Sequence, residues 1–276
     1  MPGIPLWQVD AFADRPFTGN PAAICVLESE RDDAWLQAVA QEMNLSETAF
    51  LRPRSDGFEL RWFTPEVEVD LCGHATLAAA HALWENGFAT AGEALRFHTR
   101  SGELTAVRRG DLIELDFPAT PVTESPPPAG LLESLGLESA VVAFAGRTKF
   151  DRFLTLDSAA RLRQLRPNFA QLAAVDTRGV IVTARSDDPR YDFISRFFGP
   201  AVGINEDPVT GSAHCALASY WAPQLKKKSF TAYQASARGG VVEVTLRGDR
   251  ALLAGRAVTV LKGELTALAA PGSARG

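Results

Sequence analysis

Two acidic segments that each run into a glycine are the parts of this chain best suited to chemistry on a small acid. The first reads RWFTPEVEVDLCGHAT over 61–76, and the second reads RFFGPAVGINEDPVTGSAH over 196–214. A glycine before a helix lets the backbone approach a ligand closely, and the free N–H groups of the first helical turn attract anions. The pattern therefore predicts a site for a small carboxylic acid beside Gly73 and Gly211.

The two segments repeat one another along the chain. Three residues of the first recur 135 positions later with the same identity, namely Arg61, Phe63 and Pro65 as Arg196, Phe198 and Pro200. The second segment has three extra residues before its glycine, and both segments lead into alanine-rich stretches of helical periodicity. This agreement in order and spacing predicts a duplicated domain whose two helix starts face each other across a cleft.

Alternating strand and helix signals predict the elements that position these segments. LWQVDAFA, AAICVLE, TAFLRPR and FELRWFTP have strand character, whereas DDAWLQAVAQEM and CGHATLAAAHALWENG have helical spacing, the latter ending at Asn86-Gly87 and apolar enough to be buried. Residues 131–262 repeat the mixed pattern, and a frayed end is expected at 270–276. The proline-rich run PATPVTESPPPAG is the best linker, so we predict α+β domains at 1–118 and 119–276, with the last strand returning to the first domain.

Composition excludes several classes of protein. A net charge of -5 without a basic run argues against nucleic-acid binding, and no stretch approaches the roughly 20 apolar residues of a membrane-spanning helix. MPGIPLWQVDAF lacks the features of a secretory signal, and three cysteines make a sparse, odd set typical of a reducing compartment. We expect a soluble cytoplasmic protein without membrane or nucleic-acid partners.

Four motifs in order along the chain resemble the phenazine-biosynthesis PhzF-like family, which shares the fold of diaminopimelate epimerase. They are FTGNPAAIC, NLSETAF, FTPEVEVDLCGHATLAAAHAL and SRFFGPAVGINEDPVTGSAH. The resemblance implies two similar α+β domains, each a curled mixed or antiparallel sheet around a central helix, with the active site between them and a homodimer. It also implies isomerisation by proton transfer at carbon without a cofactor or metal, a dihydro-hydroxyanthranilate being the substrate of the namesake enzyme.

The resemblance also assigns roles to individual residues. Glu47 is implied to be the acid/base group, with His74 and Asp207 supporting it. Substrate contacts are expected from four residues at the two helix starts, namely Gly73, Thr210, Gly211 and Ser212. The chemistry is consistent with this, because moving a proton between carbons needs a base with a pKa near neutrality, and burial raises the pKa of a carboxyl group.

Three alternatives remain open at this stage. An epimerase or racemase would need two opposed bases, and Cys72 has no partner thiol at the matching place, since Cys215 lies several residues into the second helix. A non-catalytic member would bind a small acid or a partner. His214, two residues after Ser212, is an alternative functional histidine to His74.

Overall fold

The computed structural model describes residues 3–90 and 92–266, in which the second half repeats the order of elements of the first and has a few additional elements. The elements of the first half are β1 (Ile4–Ala11), β2 (Asn20–Val26), α1 (Asp33–Met43), β3 (Glu47–Arg54), β4 (Gly57–Phe63), β5 (Glu68–Val69), α2 (Gly73–Glu85), β6 (Leu95–Thr99), β7 (Gly102–Arg109) and β8 (Leu112–Pro118). Those of the second half are β9 (Thr123–Glu124), α3 (Leu131–Ser134), β10 (Val142–Arg147), β11 (Asp151–Leu156), α4 (Ala159–Gln164), α5 (Phe169–Ala173), β12 (Gly179–Arg185), β13 (Phe193–Gly199), β14 (Ile204–Asp207), α6 (Gly211–Leu225), β15 (Ser229–Gln234), β16 (Gly240–Arg247), β17 (Arg250–Gly255) and β18 (Ala257–Leu265). The frayed end expected at 270–276 lies outside the described residues.

Strand pairing follows the same pattern in both halves. In the first, β1/β2 and β3/β4 are antiparallel whereas β2/β3 and β4/β6 are parallel. In the second, β10/β11 and β12/β13 are antiparallel whereas β11/β12 and β13/β15 are parallel. The duplication inferred from the repeated residues is confirmed, as is the α+β class with mixed sheets. The boundary between 118 and 119 stays a prediction.

One helix lies buried in each half. α2 packs on β1, β2, β3 and β8, and α6 packs on β15, β16 and β17. Alanine favours the helix and lets the backbone approach the sheet closely. As expected, the helix stops at Asn86-Gly87, because α2 ends at Glu85 with Asn86 as its cap, and Gly87 follows with a φ of 74°. Within the part of the chain that the structure describes, no helix has the length and apolar character that crossing a membrane requires.

Two strand pairings join the halves. β8 runs antiparallel to β17, with Leu115 opposite Leu253, and β18 returns from the end of the chain to pair with β1. The return of the last strand was expected from the sequence. Part of the proline-rich run predicted as a linker is itself ordered, because β9 pairs with β10. A single apolar cluster contains residues of both buried helices and of the sheets on either side of them.

A repeated arginine–glutamate pair braces the approach to each buried helix. Arg61 Nε lies 2.7 Å from Glu68 Oε1, and Arg196 Nε lies 2.7 Å from Glu206 Oε1. These pairs hold β5 against β4 and β14 against β13. Arg196 is the more buried arginine and also donates to the carbonyl oxygen of Leu165 at 2.9 Å. The bidentate pairing with Glu206 therefore fixes the residue immediately before Asp207.

We expect Glu206→Gln to lower the free energy of unfolding by about 2–3 kcal/mol, because it leaves the buried Arg196 guanidinium without its counter-charge. Chemical denaturation measures the change. Asp187→Asn is the matched control, since its pair with Arg163 is solvent-exposed and an exposed ion pair contributes much less to stability than a buried one. Equal effects of the two variants would contradict a bracing role for the buried pair.

Candidate active site

The starts of the two buried helices are in contact. A Cβ atom placed on Gly73 would lie 3.7 Å from Gly211 Cα, and one placed on Gly211 would lie 3.6 Å from Gly73 Cα. The first backbone hydrogen bonds of the two helices are donated by the N–H groups of Thr76 and His214, to the carbonyl oxygens of Cys72 and Thr210. The N–H groups that precede them in the first turns have no acceptor within their helix. The positive ends of the two helix dipoles therefore lie at the same place. The juxtaposition expected for the two glycines is confirmed.

Glu47 and His74 meet beside these helix starts. Glu47 is the first residue of β3, where the parallel pairing with Ala22 places it next to β2, and it is 9% exposed. His74 is the second residue of α2 and is buried. Its Nε2 lies 3.0 Å from Glu47 Oε2. Beyond this contact with each other, neither atom has a hydrogen-bond partner among the described residues.

Asn20 connects this pair to the second half of the chain. Its Nδ2 donates to Asp207 Oδ1 at 2.8 Å and to the carbonyl oxygen of Val209 at 3.0 Å, and it lies 3.2 Å from His74 Nδ1. Asn20 is fully buried at the start of β2. Asn20 lies within the motif FTGNPAAIC, but no role for it was predicted. Its position as a polar residue at the start of an otherwise apolar strand is the feature of the sequence that could have indicated one.

Asp207 is held in place by two further residues of the second half. The Thr210 hydroxyl donates to Asp207 Oδ2. Gln234, fully buried in β15, donates to the Asp207 carbonyl oxygen at 2.7 Å and accepts from the Thr210 N–H at 2.9 Å. Thr210 therefore orients Asp207. The contact of Thr210 with substrate stays a prediction. Gln234 was missed because its strand, SFTAYQ, carries no motif.

Ser212 and His214, two residues apart on α6, have opposite environments. Ser212 is exposed directly after Gly211. His214 is fully buried, donates from Nδ1 to the Thr210 carbonyl oxygen at 2.8 Å, and stacks 6.4 Å from the Phe193 ring. Burial lowers the pKa of His214 to about 4. It has the contacts of a neutral core histidine, whereas His74 is the histidine that contacts Glu47.

Burial and neighbouring charges shift three pKa values in this site. Burial, opposed by His74 but reinforced by the Glu47 charge, raises the pKa of Asp207 to about 6. Burial also opposes the charged form of His74, but interactions with Cys72 and Glu47 outweigh it, so the pKa of His74 lies above its ordinary value. Burial raises the pKa of Cys72 to about 11, which makes the thiol neutral near pH 7.

The arrangement is suited to general acid–base chemistry on an anion. A carboxylate and an imidazole lie in contact, a second carboxyl titrates near pH 6, and two helix starts provide N–H groups. Glu47, Cys72 and His74 also offer ligand atoms within 4.8 Å of one another, a spacing that a metal ion can use. The structure thus brings Glu47, His74, Asp207, Gly73 and Gly211 together, and their catalytic and binding roles stay predictions.

Similarity to known proteins extends over almost the whole chain. The profile of the family described as "Phenazine biosynthesis-like protein" matches residues 9–263. An uncharacterized isomerase of Halalkalibacterium halodurans is 56% identical over 95% of this chain and 98% of its own, and one of Pseudomonas aeruginosa is 51% identical over 94% and 98%. The crystal structure of a PhzF-family phenazine biosynthesis protein of Enterococcus faecalis superposes with a TM-score of 0.90 at 41% identity, covering 95% of this chain and 99% of that one.

The pKa of Asp207 predicts how its contribution to stability depends on pH. Because the folded-state pKa is raised from 3.8 to about 6, the stabilisation by the protonated carboxyl is fully present below pH 4 and is lost as the pH rises through 6. Relative to Asp207→Asn, the wild type should therefore lose up to about 3 kcal/mol of unfolding free energy over this range. Urea denaturation at several pH values measures the difference.

His214 supplies the matched comparison, because its folded-state pKa is depressed. Its contribution is present above pH 6.5 and is lost as the pH falls towards about 4. Relative to His214→Gln, the wild type should therefore gain stability as the pH rises through the same window. A pH-independent difference for Asp207→Asn, or slopes of the same sign for both variants, would contradict these assignments.

Proposed function

Because this chain belongs to the family of phenazine biosynthesis-like proteins, we propose that it is an isomerase that moves a proton between two carbon atoms of a small carboxylic acid without a cofactor. The names of its similar relatives support the isomerase class. The observation that carries the proposal is the contact between Glu47 and His74 beside the paired helix starts. One carboxyl group in that place can take a proton from carbon and return it.

The carboxylate of the substrate binds at the two helix starts. The N–H groups of the first turns of α2 and α6 that have no acceptor within their helix provide donors, and the summed helix dipoles favour negative charge there. Ser212 adds an exposed hydroxyl at the second residue of α6. An anion held in this way places its neighbouring carbon atoms close to Glu47, which begins β3 on the same side of the site.

The chemical step uses Glu47 as the single acid/base group. Its carboxylate removes a proton from an activated carbon, the electron pair shifts along the conjugated system, and the same group returns the proton to another carbon. His74 stabilises the carboxylate before the transfer, while Asn20 and Asp207 fix the position of the imidazole. Burial of these groups excludes water and strengthens their interactions with the developing negative charge.

An unsaturated cyclic acid meets these requirements, because its conjugated system carries the charge between two carbon atoms on one face. A dihydro-hydroxyanthranilate-like compound is one candidate. Assembly as a homodimer, implied by the family resemblance, stays a prediction.

An epimerase is the competing enzyme, and the position of Cys72 before Gly73 is the observation in its favour. The Cys72 thiol is buried with a pKa of about 11, which makes it a poor base near pH 7. Cys215, the thiol of the matching helix, is also buried and faces the carbonyl oxygen of Gly211 at 3.7 Å within its own helix. Neither thiol is suited to removing a proton from carbon.

Small carboxylates at millimolar concentration should raise the melting temperature, because a ligand that binds only the folded state stabilises it. We expect Ser212→Ala to weaken their binding about 5-fold through loss of one hydrogen bond. Ser219→Ala on the same helix should not, since its hydroxyl bonds to the Cys215 carbonyl oxygen. Thermal-shift titration reports both. An unchanged melting temperature in the wild type would count against an anion site.

Glu47→Gln should reduce turnover by about 10²–10⁴-fold, because it removes the ionisable group while keeping the shape of the side chain. Cys72→Ser should retain most of the activity. The assay is incorporation of solvent deuterium into candidate cyclic amino and hydroxy acids, followed by mass spectrometry.

The pair of variants separates the two chemistries. Loss of turnover in Cys72→Ser to the level of Glu47→Gln would favour a two-base epimerase. Absence of exchange in the wild-type protein with every candidate acid would favour a member that binds without catalysis.

A further inference from the structure

Three different metal-binding side chains meet at the start of α2. Glu47, Cys72 and His74 present an oxygen, a sulfur and a nitrogen within 4.8 Å of one another, and all three side chains are at least nearly buried. We propose that this cluster binds one thiophilic divalent cation of the Zn²⁺ class and that the bound ion inhibits the enzyme. The binding site stands on its own geometry, whereas the inhibition rests on the proposed function.

The separations between the ligand atoms suit tetrahedral coordination. With metal–sulfur and metal–nitrogen bonds of about 2.3 and 2.1 Å, two ligands of a tetrahedral site lie roughly 3.6 Å apart. Cys72 Sγ lies 3.5 Å from His74 Nδ1. The Glu47 carboxylate offers an oxygen within 4.8 Å of the other two ligand atoms, and rotation of the side chain must bring it to coordinating distance. Three protein ligands leave a fourth position, which water or the carboxylate of a small acid can occupy.

Two further features make this buried cluster a better site for a divalent cation than a group of exposed carboxylates. Glu47 Oε2 and His74 Nε2 are buried 3.0 Å apart and have no other hydrogen-bond partner in the described chain, so coordination of these atoms displaces only the contact between them. A thiolate and a carboxylate together carry two negative charges, which the dication neutralises, so the loaded site buries no net charge. Binding releases the Cys72 proton to solvent and requires an unprotonated His74 nitrogen as ligand.

Inhibition follows from the shared residue. A metal ion that holds Glu47 and His74 removes the carboxylate that would take the proton from carbon. The second buried helix offers a natural comparison, because its thiol, Cys215, lies against its own backbone and is absent from the cluster of ligand atoms. A site that depends on Glu47 and His74 must therefore discriminate between two buried thiols, one just before α2 and one inside α6.

The test uses the full chain with Cd²⁺ and Zn²⁺ as probes. Cd²⁺ titration should produce one thiolate-to-metal ultraviolet charge-transfer band per chain in the wild type and in Cys215→Ser, and none in Cys72→Ser. Zn²⁺ affinity, measured by competition with a chromophoric chelator, should fall at least about 10-fold in Cys72→Ser and in Glu47→Gln, and should be unchanged in Cys215→Ser. Circular dichroism confirms that each variant is folded.

The outcomes separate this site from the proposed function. A charge-transfer band that persists in Cys72→Ser, or a Zn²⁺ affinity in Glu47→Gln equal to that of the wild type, overturns the site. Zn²⁺ binding that leaves deuterium exchange unaffected overturns the inhibition. If the protein binds Zn²⁺ but exchanges deuterium into no candidate acid, the metal site is supported and the proposed function is contradicted. If it exchanges deuterium but Cd²⁺ produces no thiolate band, the proposed function is supported and the metal site is contradicted.

Discussion

Two helix N-termini of the same polarity meet head to head inside this molecule, and the rest of the site depends on that contact. Each positive end repels the other, and because the contact is partly buried, water screens this repulsion less than it would in bulk solvent. Crowding does not explain the paired glycines, because a Cβ on either would make ordinary van der Waals contacts. What the contact requires is negative charge nearby. Glu47 and Asp207 supply it from the protein, and a bound carboxylate can add to it.

Some polar side chains around this contact have their hydrogen-bonding groups fully paired, and others do not. Asp207 accepts from Asn20 and Thr210, and Gln234 ties the backbone of this turn to β15. Such a network gives a single arrangement. By contrast, Asn20 Oδ1 is buried without a partner in the described chain, and Glu47 Oε2 and His74 Nε2 have no partner there besides each other. Buried polar atoms with unused hydrogen-bonding capacity are costly in a core, which is consistent with a place where a ligand binds.

Much of the fold could be predicted from the sequence, because helix starts and repeated motifs are patterns of residues that are close together in the chain. The contact of Gly73 with Gly211 followed from the matched segments, and the buried α2 followed from its composition. The roles of Asn20 and Gln234 could not be predicted. Asn20 contacts a residue 187 positions away, and Gln234 contacts one 27 positions away. Likewise, sequence left His74 and His214 as alternatives, since only packing shows which one faces Glu47 and which one faces Phe193.

The pairing of β18 with β1 has a consequence for synthesis of the chain. β1 leaves the ribosome well before the strand beside it, Ala257–Leu265, is synthesised. Until then the edge of β1 presents unpaired backbone groups, which are a template for association with other chains. Pairings of such long sequence separation also form slowly. The nascent chain therefore carries an open sheet edge until Ala257–Leu265 has been synthesised and has paired with β1.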